Sequence, residues 1–291
     1  MRLFRSGVYT LDHLLGGGLS AGLLEVWGND SAGKSTLALS FLRECFWDRD
    51  IPGIVHLDGL IDTDYSFNAG PRNGLVSHPG SGEEAIDAAY RMLKVGTKVL
   101  VIDSLPNMIP RFDMEKPIDA NFTNSRRRLV SHGLHFLSSE AKARGALIIA
   151  VNQARNTITE GVKPYLHATT ALYSDHRFTM WNVGVETEYG AALKRNVHVR
   201  VDSVRRHVKE DMDLSISCWH EIGIRPEHEA TLLLEERGII ERKGAWWTVP
   251  NSDEKIGPGR AKAYKYMRVH WSTYHDIVKE VVNDLWTSSE G

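Results

Sequence analysis

Eight consecutive residues, Gly28-Asn29-Asp30-Ser31-Ala32-Gly33-Lys34-Ser35, constrain this chain more than any other stretch. They fit the spacing GxxxxGK[ST]. The strand-like run Leu23-Leu24-Glu25-Val26-Trp27 precedes them, and a helical pattern from Thr36 to Phe46 follows. Strand, glycine-rich loop and helix, in that order, make a cradle whose backbone N–H groups converge on an anion with the helix dipole behind them. Lys34 is placed to neutralise the outer phosphates of a nucleotide, and Ser35 to ligate Mg2+. A chance turn rich in glycine and serine would lack the flanking strand and helix.

The rest of the chain repeats an alternation of apolar runs and amphipathic stretches. Ile54-Val55-His56-Leu57-Asp58, Val99-Leu100-Val101-Ile102-Asp103 and Ala146 to Val151 read as strands. Glu83 to Leu93 reads as a helix with Ala85, Ile86, Ala89 and Leu93 on one face. Arg126 to Arg144 reads as another, with Val130, Leu134, Leu137 and Ala141 recurring at helical spacing. Continuous apolar strands separated by such helices predict an α/β fold with a mostly parallel sheet covered on both faces, and ligands at the carboxyl ends of its strands. Asp103 closes one of those strands. A carboxylate there serves either as a Mg2+ holder beside the phosphate cradle or as an ordinary turn aspartate; the nearby cradle favours the metal role.

Composition removes several classes. With 42% hydrophobic and 25% charged residues over 291 positions, the chain has a globular core and is neither collagen-like nor wholly disordered. No apolar run approaches the roughly 20 residues of a membrane span, and Met1 to Arg5 lack a signal-peptide pattern. Two cysteines, Cys45 and Cys218, make no metal or disulfide framework, so a reducing cytoplasm is the expected compartment. A net charge of −2 leaves nucleic-acid contact to local basic clusters. Thirteen histidines include no HExxH-type ligand pair. After Gly223 the composition shifts, and a core over 1–224 with a small domain over 225–291 is expected.

Two stretches point to such a cluster. Arg126-Arg127-Arg128 opens a helix and, taken alone, reads as a solvated face. Asn156 to Tyr189 is long, polar and without clear period, and reads as a functional loop. It carries Tyr165, His167, Tyr173, His176, Arg177, Phe178, Trp181 and Tyr189. Aromatic and basic side chains interleaved in this way suit a single-stranded polynucleotide, or equally a small satellite core beneath a loop.

With these residues in view, the chain resembles the RecA-type recombinases along nearly its whole length. Ser6-Gly7-Val8-Tyr9-Thr10-Leu11-Asp12 with Leu15-Gly16-Gly17-Gly18-Leu19 is similar to the family's segment before the phosphate loop. Ser77 to Ala85, Val101-Ile102-Asp103-Ser104-Leu105 and Val151-Asn152-Gln153-Ala154-Arg155 resemble successive later motifs. Gly190 to Lys194 and Val199 to Asp202 resemble the segment after the second DNA loop. Glu241 to Trp247 and Glu254 to Ala261 resemble the start of the bacterial family's C-terminal domain, and the divergence elsewhere points to a bacteriophage or remote bacterial member.

The resemblance implies a P-loop RecA-like core with a small α+β C-terminal domain, ATP and Mg2+ as cofactors, and ATP-dependent binding of single-stranded DNA leading to homologous pairing and strand exchange. It implies that Gly28 to Thr36 hold the triphosphate, that Ser35 and Asp103 hold the metal, and that Asp62 and Tyr65 meet the adenine. Lys34 and Gln153 take catalytic roles, Gln153 as a sensor of the outer phosphate. Arg111 to Asn124 and Asn156 to Tyr189 become the two DNA loops. Arg126, Arg127, Arg128, Arg155, Arg177, Phe178, Trp181 and Lys194 become DNA contacts. Implied partners are single- and double-stranded DNA, further copies of the chain on DNA, and a host recombinase or single-strand-binding protein, with no membrane. The implied setting is the cytoplasm of a bacterial or phage-infected cell.

Three departures qualify the resemblance. The family places a catalytic glutamate two residues after the aspartate ending the second strand, whereas this chain reads Asp58-Gly59-Leu60, and no glutamate precedes Glu83 in this part of the chain. Asp58 or Asp62 is then the candidate to orient the attacking water, and weak DNA-dependent ATPase activity is expected. Only Met1 to Arg5 precede the matching core, which puts self-assembled filaments in question. The stretch between Arg206 and Ser215 is short, leaving Lys209 as the one lysine able to reach a neighbour's nucleotide. An accessory protein that binds ATP and DNA, or a recombinase, without exchanging strands is the alternative expectation.

Overall fold

The computed structural model describes residues 2–57, 69–115, 123–157, 161–188, 191–204, 212–249 and 255–288. Asp58, Asp62, Tyr65 and Lys209 lie outside them, as does much of the expected first DNA loop. In chain order the elements are α1 (Tyr9–Leu14), β1 (Gly22–Gly28), α2 (Lys34–Trp47), β2 (Ile51–His56), β3 (Leu75–Ser77), α3 (Gly82–Lys94) and β4 (Thr97–Asp103). A 3-10 turn at Leu105–Asn107 leads to α4 (Arg111–Met114), α5 (Thr123–Arg144), β5 (Leu147–Thr157), β6 (Gly161–Pro164), α6 (His167–Tyr173), β7 (His176–Glu188), β8 (Ala191–Val204), β9 (Met212–Trp219) and β10 (Gly223–Ile224). The chain ends with α7 (Pro226–Glu236), β11 (Glu241–Lys243), β12 (Trp246–Thr248), β13 (Lys255–Pro258), α8 (Arg260–Val269) and α9 (Trp271–Ser288).

Two compact units result. The first holds residues 1–4 and 19–224; the second holds 5–18 and 225–291. Residues 5–18, expected in the core, therefore cluster with the C-terminal residues.

In the first unit the described strands form one mixed, mostly parallel sheet in the order β10-β9-β8-β7-β1-β5-β4-β2-β3, with β6 paired to β5. β1, β5, β4, β2 and β3 run parallel, and β7 is parallel to β1. β8, β9 and β10 continue it by antiparallel steps. The apolar helix stripes read from the sequence supply one layer: Ala85, Ala89 and Leu93 of α3 and Val130, Leu134, Leu137 and Ala141 of α5 pack with Leu23, Val55, Leu100, Ile102, Ile148 and Ala150. Those sheet residues alternate, so Leu24, Val26, Val99, Val101, Ile149 and Val151 face the opposite side, where α2 packs. The sheet is thus covered on both faces, which is why its central strands read as unbroken apolar runs.

α3 is capped by Ser81, whose hydroxyl accepts the Glu84 N–H at 3.3 Å, satisfying one of the donors a helix start leaves open. The Glu84 carboxylate accepts the Gly80 N–H at 2.9 Å and the Arg111 guanidinium at 2.7 Å, and Glu83 accepts the Arg111 backbone N–H at 2.9 Å. This fastens the start of the expected first DNA loop to α3.

The second unit is built on an antiparallel sheet, β11-β12-β13, with α1, α7, α8 and α9. Its core contains Tyr9, Leu233, Leu234, Trp247, Met267, Trp271 and Val278. Tyr9 of α1 meets Trp271 with ring centroids 6.0 Å apart. Among the described residues no helix is long and apolar enough to cross a membrane.

Candidate nucleotide and nucleic-acid site

The phosphate loop joins the carboxyl end of β1 to the first turn of α2, and two glycines make its path possible. A Cβ on Gly28 would stand 1.9 Å from the Met180 carbonyl oxygen of β7, so only glycine lets the strand end this close to its neighbour. Gly33 turns the chain into α2 at φ 80°, and Ser31 is also left-handed at φ 58°. Alternating backbone hands of this kind turn successive N–H groups into one concavity, an anion nest. Ala32 is buried, Asn29, Asp30, Ser31 and Ser35 are exposed at the mouth, and Thr36 is buried behind it.

Lys34 folds back over this loop. It is 8% exposed, and its ammonium donates to the carbonyls of Gly28 at 3.0 Å and Asn29 at 2.7 Å. Burial lowers its pKa, and the carboxylates of Asp30 and Asp103 oppose that shift. The Asp103 field reaches Lys34 because β4 ends beside the loop. Asp103 is 7% exposed and precedes a cis peptide to Ser104. Gln153 of β5 is the register partner of Gly28 itself. The sequence-predicted Lys34, Ser35, Asp103 and Gln153 are thus brought to the same edge of the parallel sheet.

These residues fit a magnesium nucleotide. The nest and Lys34 offer donors and positive charge to phosphate, and Ser35 with Asp103 offers hard oxygens to a small cation. Among the described residues no cluster of three or more His, Cys, Asp or Glu makes an all-protein metal cage. Mg2+ characteristically takes one or two protein oxygens and completes its shell with phosphate and water.

The expected DNA contacts separate into three groups. Arg126, Arg127 and Arg128 open α5, the latter two exposed, and Arg155 leaves the carboxyl end of β5, exposed, with its guanidinium 4.6 Å from the Tyr165 ring centroid. Arg127, Arg128 and Arg155 are exposed at that edge, and Arg126 is half-buried. Arg177 and Phe178 are not exposed. Phe178 is 0% exposed in the core of β7, and Arg177 points inward to Glu25 at 2.8 Å. Phe178 therefore sits in the core and Arg177 in a half-buried ion pair instead of on a DNA-facing surface, because this part of β7 runs between β1 and β8. Trp181 and Lys194 form the third group, on β7 and β8 next to the phosphate loop. Trp181 packs on His198 at 4.5 Å, while Lys194 pairs with Glu186 at 3.0 Å and lies over Trp219 at 5.7 Å.

Expected as one loop, residues 156–189 are instead largely ordered secondary structure. β6 folds back antiparallel on β5, α6 follows, and β7 enters the central sheet. The expected second loop therefore narrows to β6 and the residues up to Leu166, with 158–160 lying outside the described residues.

Arg195, which belongs to the basic stretch of Lys194, Arg195, Arg200, Arg205, Arg206 and Lys209, donates its guanidinium N–H to the Ser31 carbonyl of this chain's own phosphate loop at 3.2 Å. Sequence reasoning passed over Glu25, a buried carboxylate inside an apolar strand; a charge in that place requires a partner and was the available signal.

Comparison with known proteins agrees with this geometry. Residues 1–214 match the RecA N-terminal domain, and residues 233–285 match the RecA C-terminal domain. Protein RecA of Arthrospira platensis is 30% identical over 291 residues, covering 95% of this chain and 77% of that protein. Protein RecA of Gloeothece citriformis is 29% identical, covering 96% and 80%, and that of Francisella tularensis subsp. novicida is 27% identical with the same coverage. A phosphate nest, a carboxylate-ended strand and an amide-ended strand at one sheet edge, followed by a matching C-terminal segment, place this chain in the RecA family of ATP- and DNA-binding recombination proteins.

Proposed function

We propose that this chain is an ATP-dependent single-stranded-DNA-binding protein that promotes homologous pairing and strand exchange. The observation that carries the reading is the placement of Gln153. It is register-paired with the first residue of the phosphate loop, and its own carbonyl accepts the Tyr165 N–H at 2.8 Å from the segment expected to meet DNA. One residue thus adjoins both the nucleotide cradle and the narrowed second loop.

The roles follow from position. Backbone donors of Gly28 to Ser35 and the Lys34 ammonium hold the triphosphate. Ser35 and Asp103 hold Mg2+. Arg126, Arg127, Arg128 and Arg155 line the edge where a polynucleotide backbone would be neutralised, with Tyr165 offering a ring to a base. Bound Mg2+-ATP supplies the charge that distinguishes the loaded from the empty cradle, and only a difference in affinity between two loop states can convert this into DNA grip.

A second reading is favoured by one feature. Between Asp58 and Gly82 the sequence has no glutamate, so hydrolysis is slow and the chain acts as an accessory that binds ATP and DNA without efficient turnover. Gel-shift titration of single-stranded DNA with and without a non-hydrolysable ATP analogue at fixed salt tests the first element common to both readings. A strand-exchange assay with ATP then separates them: product formation supports the recombinase, and tight nucleotide-dependent binding without product supports the accessory protein. DNA affinity indifferent to the analogue overturns both.

A further inference from the structure

Behind Gln153 lies a chain of buried polar contacts with no place in the holding of phosphate. Glu25 stands in the middle of β1, three residues before Gly28, with its side chain 1% exposed. Its two carboxylate oxygens are divided between two elements. Oε2 accepts the Arg177 Nε–H of β7 at 2.8 Å, and Oε1 accepts the Asn152 side-chain amide of β5 at 2.7 Å. The same Asn152 amide donates to the Tyr165 carbonyl at 2.8 Å, and the Asn152 side-chain oxygen accepts the Gln153 N–H at 2.9 Å. The Tyr165 N–H closes the circuit on the Gln153 carbonyl. At the far side Arg177, 16% exposed, donates a second time, to His167 Nδ1 at the start of α6 at 3.2 Å.

The physical consequence lies in what each bond joins. Tyr165 and His167 bracket the point where the chain returns from β6 into α6. Both ends of that return are tied through one carboxylate to the strand that carries the phosphate loop. A buried charge stripped of its partner is strongly unfavourable, so Glu25 and Arg177 are held together rather than sharing water. The Asn152 amide has its donors committed to Glu25 and Tyr165 and its oxygen to Gln153. A displacement of Gln153 toward the cradle must therefore stretch the Tyr165 contacts or carry Tyr165 with it.

We propose that Glu25, Asn152, Arg177 and His167 form a latch that holds the Tyr165 segment in step with Gln153, so that the state of the nucleotide cradle sets the DNA affinity of that segment. These are positioning residues: none is placed to touch phosphate or a base. The latch rests on the proposed nucleotide-dependent DNA binding, and its test separates the two.

The experiment measures three quantities on purified full-length protein: affinity for a non-hydrolysable ATP analogue, affinity for a fixed oligonucleotide with and without the analogue at one salt concentration, and thermal midpoint. The ratio of the two DNA affinities is the readout, taken only for variants whose thermal midpoint shows them fully folded at the assay temperature both with and without the analogue, since the analogue would otherwise raise the folded fraction by itself. Wild type should show a ratio in the range of about 5–150-fold common to linked sites. Arg177→Gln should bring the ratio near one with analogue affinity retained. Arg177→Lys, which keeps a charge for Glu25 but lacks the guanidinium fork, should give an intermediate value. His167→Gln, a milder change at the rim, should lower the ratio least, and with Arg177→Lys it carries the test where Arg177→Gln does not fold. Wild-type ratios in folded Arg177→Lys and His167→Gln overturn the latch while leaving the function reading intact. A wild-type ratio of one overturns the function reading and the latch with it.

Discussion

The two halves of the central sheet follow different rules. β5, β4, β2 and β3 on one side of β1 run parallel to one another, and β4 and the first part of β5 are buried on both faces. From β7 outward, on the other side, the sheet continues by antiparallel pairing. There, Phe178, Met180, Val197, Val199, Val201, Ile216 and Cys218 are buried, while Trp181, His198, Arg200, Ser215 and Ser217, interleaved with them, are at least partly exposed. The parallel half presents strand ends and contributes Lys34, Asp103 and Gln153 with β1. The antiparallel half presents a broad surface and closes against the phosphate loop, where a Cβ on Gly33 would meet Val197, Cys218 and Met180 at 3.3 to 3.7 Å. Chemistry gathers where strands stop and support where they run on.

The sharpest way to break this contrast is Lys34→Ala. It should abolish the nucleotide-dependent part of DNA binding, measured by gel shift at matched salt. Retained nucleotide stimulation would take the chemistry away from the parallel half. Next in size is Phe178→Ala, which should cost about 3–5 kcal/mol in urea unfolding, as for other buried aromatic truncations, with DNA affinity per folded molecule unchanged. Weaker DNA binding at unaltered stability would put that ring in the DNA path. Arg127→Ala should weaken single-stranded DNA binding uniformly across sequences and reduce the magnitude of the salt slope by about 0.7. An unchanged slope would return the arginine triplet to a merely solvated face. Ser81→Ala should remove about 1 kcal/mol through loss of the α3 cap, read from the same urea curves.

The smallest effect concerns pH. The Gly80 N–H and then Arg111 hold the Glu84 carboxyl below its ordinary value of 4.5. A depressed folded-state pKa means that the contribution is present above the unfolded value and is lost as pH falls through the folded one. Acidification below 4.5 should therefore loosen the tie between α3 and Arg111, and Glu84→Gln should remove that pH dependence in a chemical-shift titration of the Gly80 amide, which donates to Glu84.

The parallel half was legible in the sequence because its signals are local. Val130, Leu134, Leu137 and Ala141 recur at helical spacing, and all four are buried. Asp103 ends an apolar run and does lie beside the loop. β7 was not legible for an equally physical reason. Its alternation is broken by register shifts after Arg177, between Asn182 and Gly184 and after Glu186, so the period-two pattern never persists long enough to separate from a loop. The inward turn of Arg177 could not be read from its own neighbours; it depends on Glu25, 152 positions earlier. Long-range pairing of charges is fixed by topology, and topology is what a run of letters encodes least directly.

The membership of α1 in the C-terminal unit has a practical outcome for anyone dissecting the molecule. The polypeptide passes from one unit to the other between Phe4 and Arg5, returns between Gly18 and Leu19, and leaves again between Ile224 and Arg225. A single cut at the last of these points severs a chain without freeing a domain. The tail fragment would lack Tyr9, which belongs inside its apolar centre, and the head fragment would carry that tyrosine with nothing to bury it. Protein engineers seeking the smaller piece by itself should graft residues 5–18 onto it.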